Sequence, residues 1–361
     1  MGITLNPVHI GDIGVDPPVF LAPMSGVTDQ PFRAIVKKLG AGLVISEMIA
    51  SHEMVRAARA SMRTSTDCGD EYPMAVQLAG YDPAIMAEAA RLNVDRGAAI
   101  IDINFGCPAR KVVTKQCGSA LMREPALAAC IVDAVARAVD VPVTVKMRLG
   151  WDDSDLNAPD LAARCERAGA RMITVHGRTR CQLYTGTADW AAIRPTVDAV
   201  SVPVIVNGDI DGPASIDRAL QASGAAGVMI GRAVQGRPWR LAQAGAYLRT
   251  GVWPADPDLS MRRDIVLQHY EAILAHYGSS KGIRIGRKHL GWYVNGLPNA
   301  ADARRLFNTL EDSQAVLETV SAVFDAAIGA GLDNESLPVQ DASTVGEDSG
   351  INARANTRKV A

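Results

Sequence analysis

Residues 98–106 read AAIIDINFG. The run is almost continuously apolar and too short for a typical helix. A strand covered on both faces reads this way, whereas a strand with one wet face alternates. Other runs of the same kind lie on either side: PVFLAPM (18–24), GLVISEM (42–48), PMAVQLAG (73–80), VPVTVKM (141–147), ARMITVHG (170–177), VPVIVNGDI (202–210) and AAGVMIGRA (225–233). Helix-period segments such as 83–96, 124–139 and 213–222 separate them. Gly97-Ala98, Gly169-Ala170 and Gly224-Ala225 each stand just before a run, where glycine suits a helix C-cap. Eight strands alternating with helices predict a (β/α)8 TIM barrel of about 250 residues. An open doubly wound sheet competes with it. That fold usually opens with a glycine-rich turn after its first strand, and the first run here leads into LAPMSGVTD (21–29) instead.

The barrel is assigned to residues 1–245 and a linker to 246–258. Residues 259–330 read as helices only, a small all-α domain, and 331–361 as a polar, disordered tail without periodicity. The 361 residues are 48% hydrophobic and 21% charged, an ordinary globular composition. A net charge of −2 excludes a polycation, so any nucleic-acid contact must use a local basic patch. No segment approaches the ~18 apolar residues of a membrane span, and no basic start precedes an apolar core at the N-terminus. The six cysteines form no CxxC pair. Free thiols in a reducing cytoplasm are the expectation.

Functional groups of this fold gather at the C-terminal ends of the strands. Those ends carry Ala22-Pro23-Met24, Gln77, Asn104, Lys146, His176-Gly177-Arg178, Asn207-Gly208-Asp209 and Gly231-Arg232. Loops after strands seven and eight are the usual phosphate cradle. The glycines of Asn207-Gly208 and Gly231-Arg232 let backbone N–H groups approach phosphate oxygens, and Arg232 adds charge. Tight turns with no ligand are the plain alternative. Lys146 leaves an apolar strand. It suits the anionic edge of a reduced flavin, a Schiff base or a solvated strand end. Gln77 and Asn104 offer amides that donate and accept, suited to a flavin or a pyrimidine. Arg178 and Arg180, just behind His176, match a phosphate-rich ligand. No metal-ligand spacing is present: His176 lacks a nearby partner, and Cys107 and Cys117 are not spaced as zinc ligands.

In DINFGCPARK (102–111) a cysteine, Cys107, sits between Gly106 and Pro108, with Arg110 and Lys111 close behind. A cysteine at the rim of a pocket takes such a setting; a cysteine that only packs does not need it. GRAVQGRP (231–238) is rejected as a phosphate loop, because Arg237 and Pro238 replace the lysine and hydroxyl.

These blocks carry a resemblance. LAPMSGVTDQPFR (21–33), DINFGCPARKVVTKQCGSALM (102–122), VTVKMRLGWDD (143–153), VHGRTRCQLYTGTADW (175–190), VNGDI (206–210) and IGRAVQGRPW (230–239) are similar to the tRNA-dihydrouridine synthases. RKHLGWY (287–293) resembles the bacterial B-type branch. The likeness covers about residues 10 to 325. It implies FMN-dependent reduction of the C5–C6 double bond of particular tRNA uridines, with NADPH as reductant. It implies a flavin held at Met24, Gln77, Lys146, His176, Asn207, Asp209, Gly231 and Arg232, with Cys107 as acid and the helical domain gripping tRNA. Ala22, Pro23 and Gly208 join the cofactor set from the strand-end reading. Gln30 stands where the family often has arginine, and Cys117 where a small residue is more usual.

Conjugation to the C4 carbonyl makes C6 of uracil electrophilic. Hydride addition there puts negative charge on C5 and O4, so an acid must protonate C5 from the other face. Cys107 must then be a thiol, unlike nucleophilic cysteines, whose pKa is lowered by nearby cations. Arg110 and Lys111 are therefore expected to point toward RNA phosphate. Six Lys and Arg stand between 281 and 305 (Lys281, Arg284, Arg287, Lys288, Arg304, Arg305) against Asp302, a basic patch suited to RNA shape. The expected substrate contacts are Asn104, Arg110, Lys111, Arg178, Arg180, Arg284, Arg287 and Lys288. No obligate protein partner is evident. Two rivals stay open: a flavin barrel acting on a free pyrimidine, like the dihydroorotate dehydrogenases, and a non-catalytic RNA-binding protein.

Overall fold

The computed structural model describes residues 5–60 and 71–332. The tail expected from 331 lies outside the described residues from position 333 on.

The apolar runs form eight parallel strands: β1 Val19–Leu21, β2 Val44–Ile45, β3 Met74–Ala79, β4 Ile100–Phe105, β5 Val143–Arg148, β6 Ala170–His176, β7 Val204–Asn207 and β8 Gly227–Ile230. Their order around the sheet is β1-β8-β7-β6-β5-β4-β3-β2. A parallel bridge between Phe20 and Leu43 brings the two ends together. Leu21 N donates to Leu43 O at 2.9 Å, and Leu43 N donates to Val19 O at 3.4 Å. The expected TIM barrel is therefore present, with a short closing seam between β1 and β2. The strands are buried along nearly their whole length, which is why they read as continuous apolar runs. A further two-residue strand, Ile49–Ala50, pairs with β3.

Helices follow the strands, as the period predicted. Gln30–Lys38 (α1) is capped by Asp29, which accepts from Phe32 N at 3.1 Å. Pro83–Val94 (α3) is capped by Asp82. Ser51–Ala60 (α2), Arg110–Val113 (α4), Pro125–Ala136 (α5), Ala158–Arg167 (α6), Arg194–Ala199 (α7) and Pro213–Ser223 (α8) complete the set. Gly97, Gly169 and Gly224 all have positive φ, in keeping with the helix-end reading. One element went unread. Val8–Ile10 and Ile13–Val15 form an antiparallel hairpin. Its Val8, Ile10 and Val15 pack in one apolar cluster with Phe20, Ile100, Met172 and Ile205 of the barrel strands.

Among the described residues the chain separates into two compact units, one running up to Gly231 with Trp239–Pro254, the other made of Arg232–Pro238 with the residues from Ala255 on. This differs from a barrel ending at 245 and a linker over 246–258. Helix Arg240–Thr250 (α9) runs through that point, with Leu241, Ala244, Tyr247 and Leu248 buried at helical spacing and Gly251 as its left-handed cap. The second unit contains Leu259–Tyr277 (α10), Ser279–Tyr293 (α11), Ala300–Thr309 (α12) and Ser313–Gly329 (α13). Val266, Tyr270, Leu290, Phe307, Val320 and Phe324 form its core. Among the described residues, no helix is long and apolar enough to cross a membrane.

Gly42 adjoins the closing seam. A Cβ there would lie 2.3 Å from Pro17 O and 2.9 Å from Val19 O, both backbone atoms with little room to move. Gly42→Ala is expected to destabilise the barrel by about 1–3 kcal/mol, as overpacking does. A thermal melt matching wild type would contradict this account of the seam.

Candidate active site

Parallel pairing puts the polar strand-end residues side by side. Gln77 of β3 is in register with Asp102 of β4, Asn104 with Lys146 of β5, and His176 of β6 with both Arg148 and Asn207. Asp102 is fully buried. Its Oδ1 accepts from Thr144 Oγ1 at 2.6 Å and its Oδ2 from Gln77 Nε2 at 2.7 Å. Gln77 Oε1 in turn accepts from Asn104 Nδ2 at 2.7 Å. Asn104 Oδ1 then accepts the backbone N–H groups of Gly106 at 3.1 Å and Cys107 at 2.8 Å. The chain runs in one sense throughout. Each amide turns its NH2 toward Asp102 and its oxygen toward the cysteine. Burial pushes the Asp102 pKa up, while the bonds from Thr144 and Gln77 and the charge of Lys146 oppose that rise.

Cys107 is half-buried, and its carbonyl accepts from Ser119 N at 3.1 Å and Ser119 Oγ at 3.0 Å. Arg148 Nε holds the preceding carbonyl, Gly106 O, at 2.9 Å. The cysteine loop is thus tied on both sides. Arg110 and Lys111 are exposed at the start of α4. Cys117 is buried, its thiol 3.2 Å from Lys115 O, and burial pushes its pKa up.

Lys146 Nζ donates to Asn207 Oδ1 at 3.0 Å, and Asn207 Nδ2 donates to Met229 O at 2.9 Å. Burial, then the neighbouring Arg148, lowers the Lys146 pKa to about 8; Asp102 and Cys107 work against the fall. The lysine at this strand end is half-buried and hydrogen-bonded.

The turn after β7 is built around Gly208. Its φ is 112°, and a Cβ would sit 2.8 Å from Ala188 Cβ and 2.9 Å from His176 Cδ2. Asp209 follows at φ 52°, unusual for a residue with a side chain. Arg178 holds it there: Nη1 donates to Asp209 Oδ1 at 3.0 Å and Nη2 to Oδ2 at 2.5 Å. Ala188 N also donates to Asp209 Oδ2, at 2.8 Å, and Trp190 Nε1 donates to Gly208 O at 2.8 Å.

One expected phosphate contact needs correction. Arg178 is 1% exposed and ion-paired with Asp209, so it is an internal strut and not a hand extended to RNA. Arg180 is stacked over the Trp151 ring at 4.7 Å, with Arg123 over the same ring at 4.8 Å. The other strand-end residues sit as follows. Ala22 is buried, and Pro23 and Met24 are half-buried beyond β1. Gly231 closes β8, and Arg232 opens a short 3-10 turn, Arg232–Val234, belonging to the helical unit. In that unit Arg284 is exposed and Lys288 half-buried. Arg287 is half-buried, its Nη2 donating to Leu310 O at 3.3 Å. Sequence reasoning missed Asp102, Thr144 and Ser119. An acid inside an apolar strand was the available signal for Asp102.

Residues 20–328 match the family described as dihydrouridine synthase (Dus). A "Probable tRNA-dihydrouridine synthase" of Rickettsia bellii (strain RML369-C) is 51% identical over 322 residues, 89% of this chain and 99% of that protein. "tRNA-dihydrouridine synthase B" of Xanthomonas campestris pv. campestris is 49% identical over 321 residues, 89% of this chain and 97% of that protein. Among solved structures, histamine dehydrogenase from Rhizobium sp. 4-9 superposes with a TM-score of 0.51 at 11% identity. That match covers 75% of this chain and 51% of the other, and it bears on the fold alone. The family match spans the barrel and the helical region together, and the relatives are aligned nearly end to end: the chain belongs to the dihydrouridine synthase family.

Proposed function

We propose that this protein reduces the C5–C6 double bond of uridine in tRNA to dihydrouridine, with FMN as cofactor, NADPH as electron donor and Cys107 as the acid. The observation that carries the reading is the convergence of Gln77, Asn104, Lys146 and the tethered Cys107 at the ends of adjacent strands in a chain of this family.

The residues fit a flavin. A Cβ on Gly231 would be 3.6 Å from Ala22 Cβ and 3.7 Å from Met24 Sδ, so bare backbone and an apolar shelf border one strip that an aromatic ring could cover. Lys146 supplies a half-buried cation for the ring's anionic edge, and Gln77 supplies an amide. The Asn207-Gly208-Asp209 turn, Gly231 and Arg232 are the phosphate-side candidates. When bound, the reduced flavin supplies the hydride for C6 of uracil. The chain's own part is to hold the pyrimidine, keep Lys146 charged and deliver a proton from the Cys107 thiol to C5. Asn104 can orient the base only within limits, because its oxygen already holds the cysteine loop. The target base must leave the RNA stack to reach this site. Arg110 and Lys111 beside the site, and Arg284, Arg287 and Lys288 on the helical unit, provide cations for the phosphates. The free-pyrimidine reading is not favoured, since relatives of nearly the same length are named for tRNA and match the helical region too.

Three outcomes test the proposal. Cys107→Ala should retain flavin and oxidise NADPH, yet lose about 10²–10⁴-fold in tRNA reduction, the usual worth of a positioned acid; wild-type turnover in that variant would remove Cys107 from the role. The Lys146 ammonium is present below about pH 8 and lost above it. The rate of tRNA reduction should therefore decline as pH rises through about 8, and a rate flat from pH 7 to 9 would contradict the role given to Lys146. Binding of tRNA should weaken steeply as salt is raised, with a log–log slope of roughly −0.7 to −0.9 per phosphate contacted. A salt-independent affinity would argue against the basic contacts.

A further inference from the structure

The surroundings of His176 determine which of its ring nitrogens carries a proton. Arg178 directs all five of its N–H groups at acceptors. Nε donates to Thr185 O at 3.1 Å, and Nη2 to Gly186 O at 2.6 Å and Asp209 Oδ2 at 2.5 Å. Nη1 donates to Asp209 Oδ1 at 3.0 Å and lies 3.2 Å from His176 Nε2. A guanidinium has no acceptor atom and stays protonated in proteins. Nε2 must therefore accept. A proton on Nε2 would set N–H against N–H, and an imidazolium would add like-charge repulsion.

We infer that His176 serves the site as a neutral imidazole protonated on Nδ1, with Arg178 and Asp209 as positioning residues that fix this tautomer. Gly208 reinforces the arrangement. A Cβ there would lie 2.9 Å from His176 Cδ2 and 3.1 Å from Nε2, so the ring's Nε2–Cδ2 edge rests on the glycine. The Nδ1–Cε1 edge is the working edge. His176 then offers an N–H to an acceptor atom in the site and has no proton to give from Nε2. Its use in catalysis rests on the reading of the site as a flavin-dependent reductase; the tautomer does not.

The test has a part that needs no turnover. The flavin-loaded protein is labelled with 15N-histidine and its two-bond proton–nitrogen correlations recorded near pH ~8, where an ordinary imidazole is neutral. His176 is assigned from the signals missing in His176→Asn. The Nδ1–H pattern is expected; an Nε2–H or doubly protonated ring overturns the inference. Arg178→Lys cannot reproduce the five-donor fork and should shift the ring toward Nε2–H. A folded variant that keeps the Nδ1–H pattern would remove Arg178 from the role, and if this variant does not fold, the wild-type spectrum still decides the tautomer. Activity supplies a second arm. The asparagine amide falls near the position of Nδ1 and the glutamine amide near Nε2. His176→Asn should therefore retain about tenfold more activity on tRNA than His176→Gln, the scale of one hydrogen bond. A ratio seen in flavin affinity places the acceptor on the cofactor, and one confined to kcat places it on the base. Equal or reversed activities overturn the working-edge assignment. Should wild type prove inactive on tRNA, the spectrum still reads the tautomer, so the two failures are separable.

Discussion

A single buried carboxylate sets the polarity of this site. Asp102 has no access to water, and both of its oxygens accept hydrogen bonds. Gln77 must show it an NH2 group, Asn104 must show Gln77 another, and the oxygen of Asn104 is then aimed at the N–H groups before and at Cys107. Reversing any member would press donor against donor. The position of the cysteine is thus set from within its own strand, by a buried group five residues earlier that acts through Gln77 of the neighbouring strand. The same charge acts through space on Lys146, where it opposes the loss of the ammonium that burial promotes.

The opposite side of the rim uses a buried cation in the same manner. Arg178 draws Asp209 into a backbone region that side chains avoid, and the turn after β7 takes its shape from that pull. Each half of the rim therefore has one fully buried charge whose hydrogen bonds orient the groups that face the ligand. Burying an ion is costly unless its partners are complete, and here the partners are the site itself. Substitutions at such positions alter geometry before they alter charge.

The barrel was legible because its strands are covered on both faces, and an apolar run such as VPVTVKM has few other uses. The strand-end glycines and the polar residues beside them followed from the same count. What escaped notice had physical reasons. The hairpin at Val8–Val15 is two three-residue strands, too short for any periodicity to register. Asp102 hides within an apolar run, and its partners come from neighbouring strands, so spacing along the chain does not reveal them. Arg178 looked like a phosphate ligand because sequence states a charge and not its direction; it turns inward to Asp209. The supposed linker after 245 was misjudged because its first residues continue helix α9, whose Tyr247 and Leu248 are buried, and the helix ends only at the Gly251 cap.

The chain passes from the first unit to the second after Gly231, returns at Trp239, and crosses again after Pro254. No single cut therefore separates intact halves. A fragment ending at 254 would carry the 232–238 segment without the helices it belongs to, and a fragment starting at 255 would lack that segment altogether. Exchange of the helical half between relatives, in the laboratory or in evolution, has to transplant a short internal loop along with the C-terminal block.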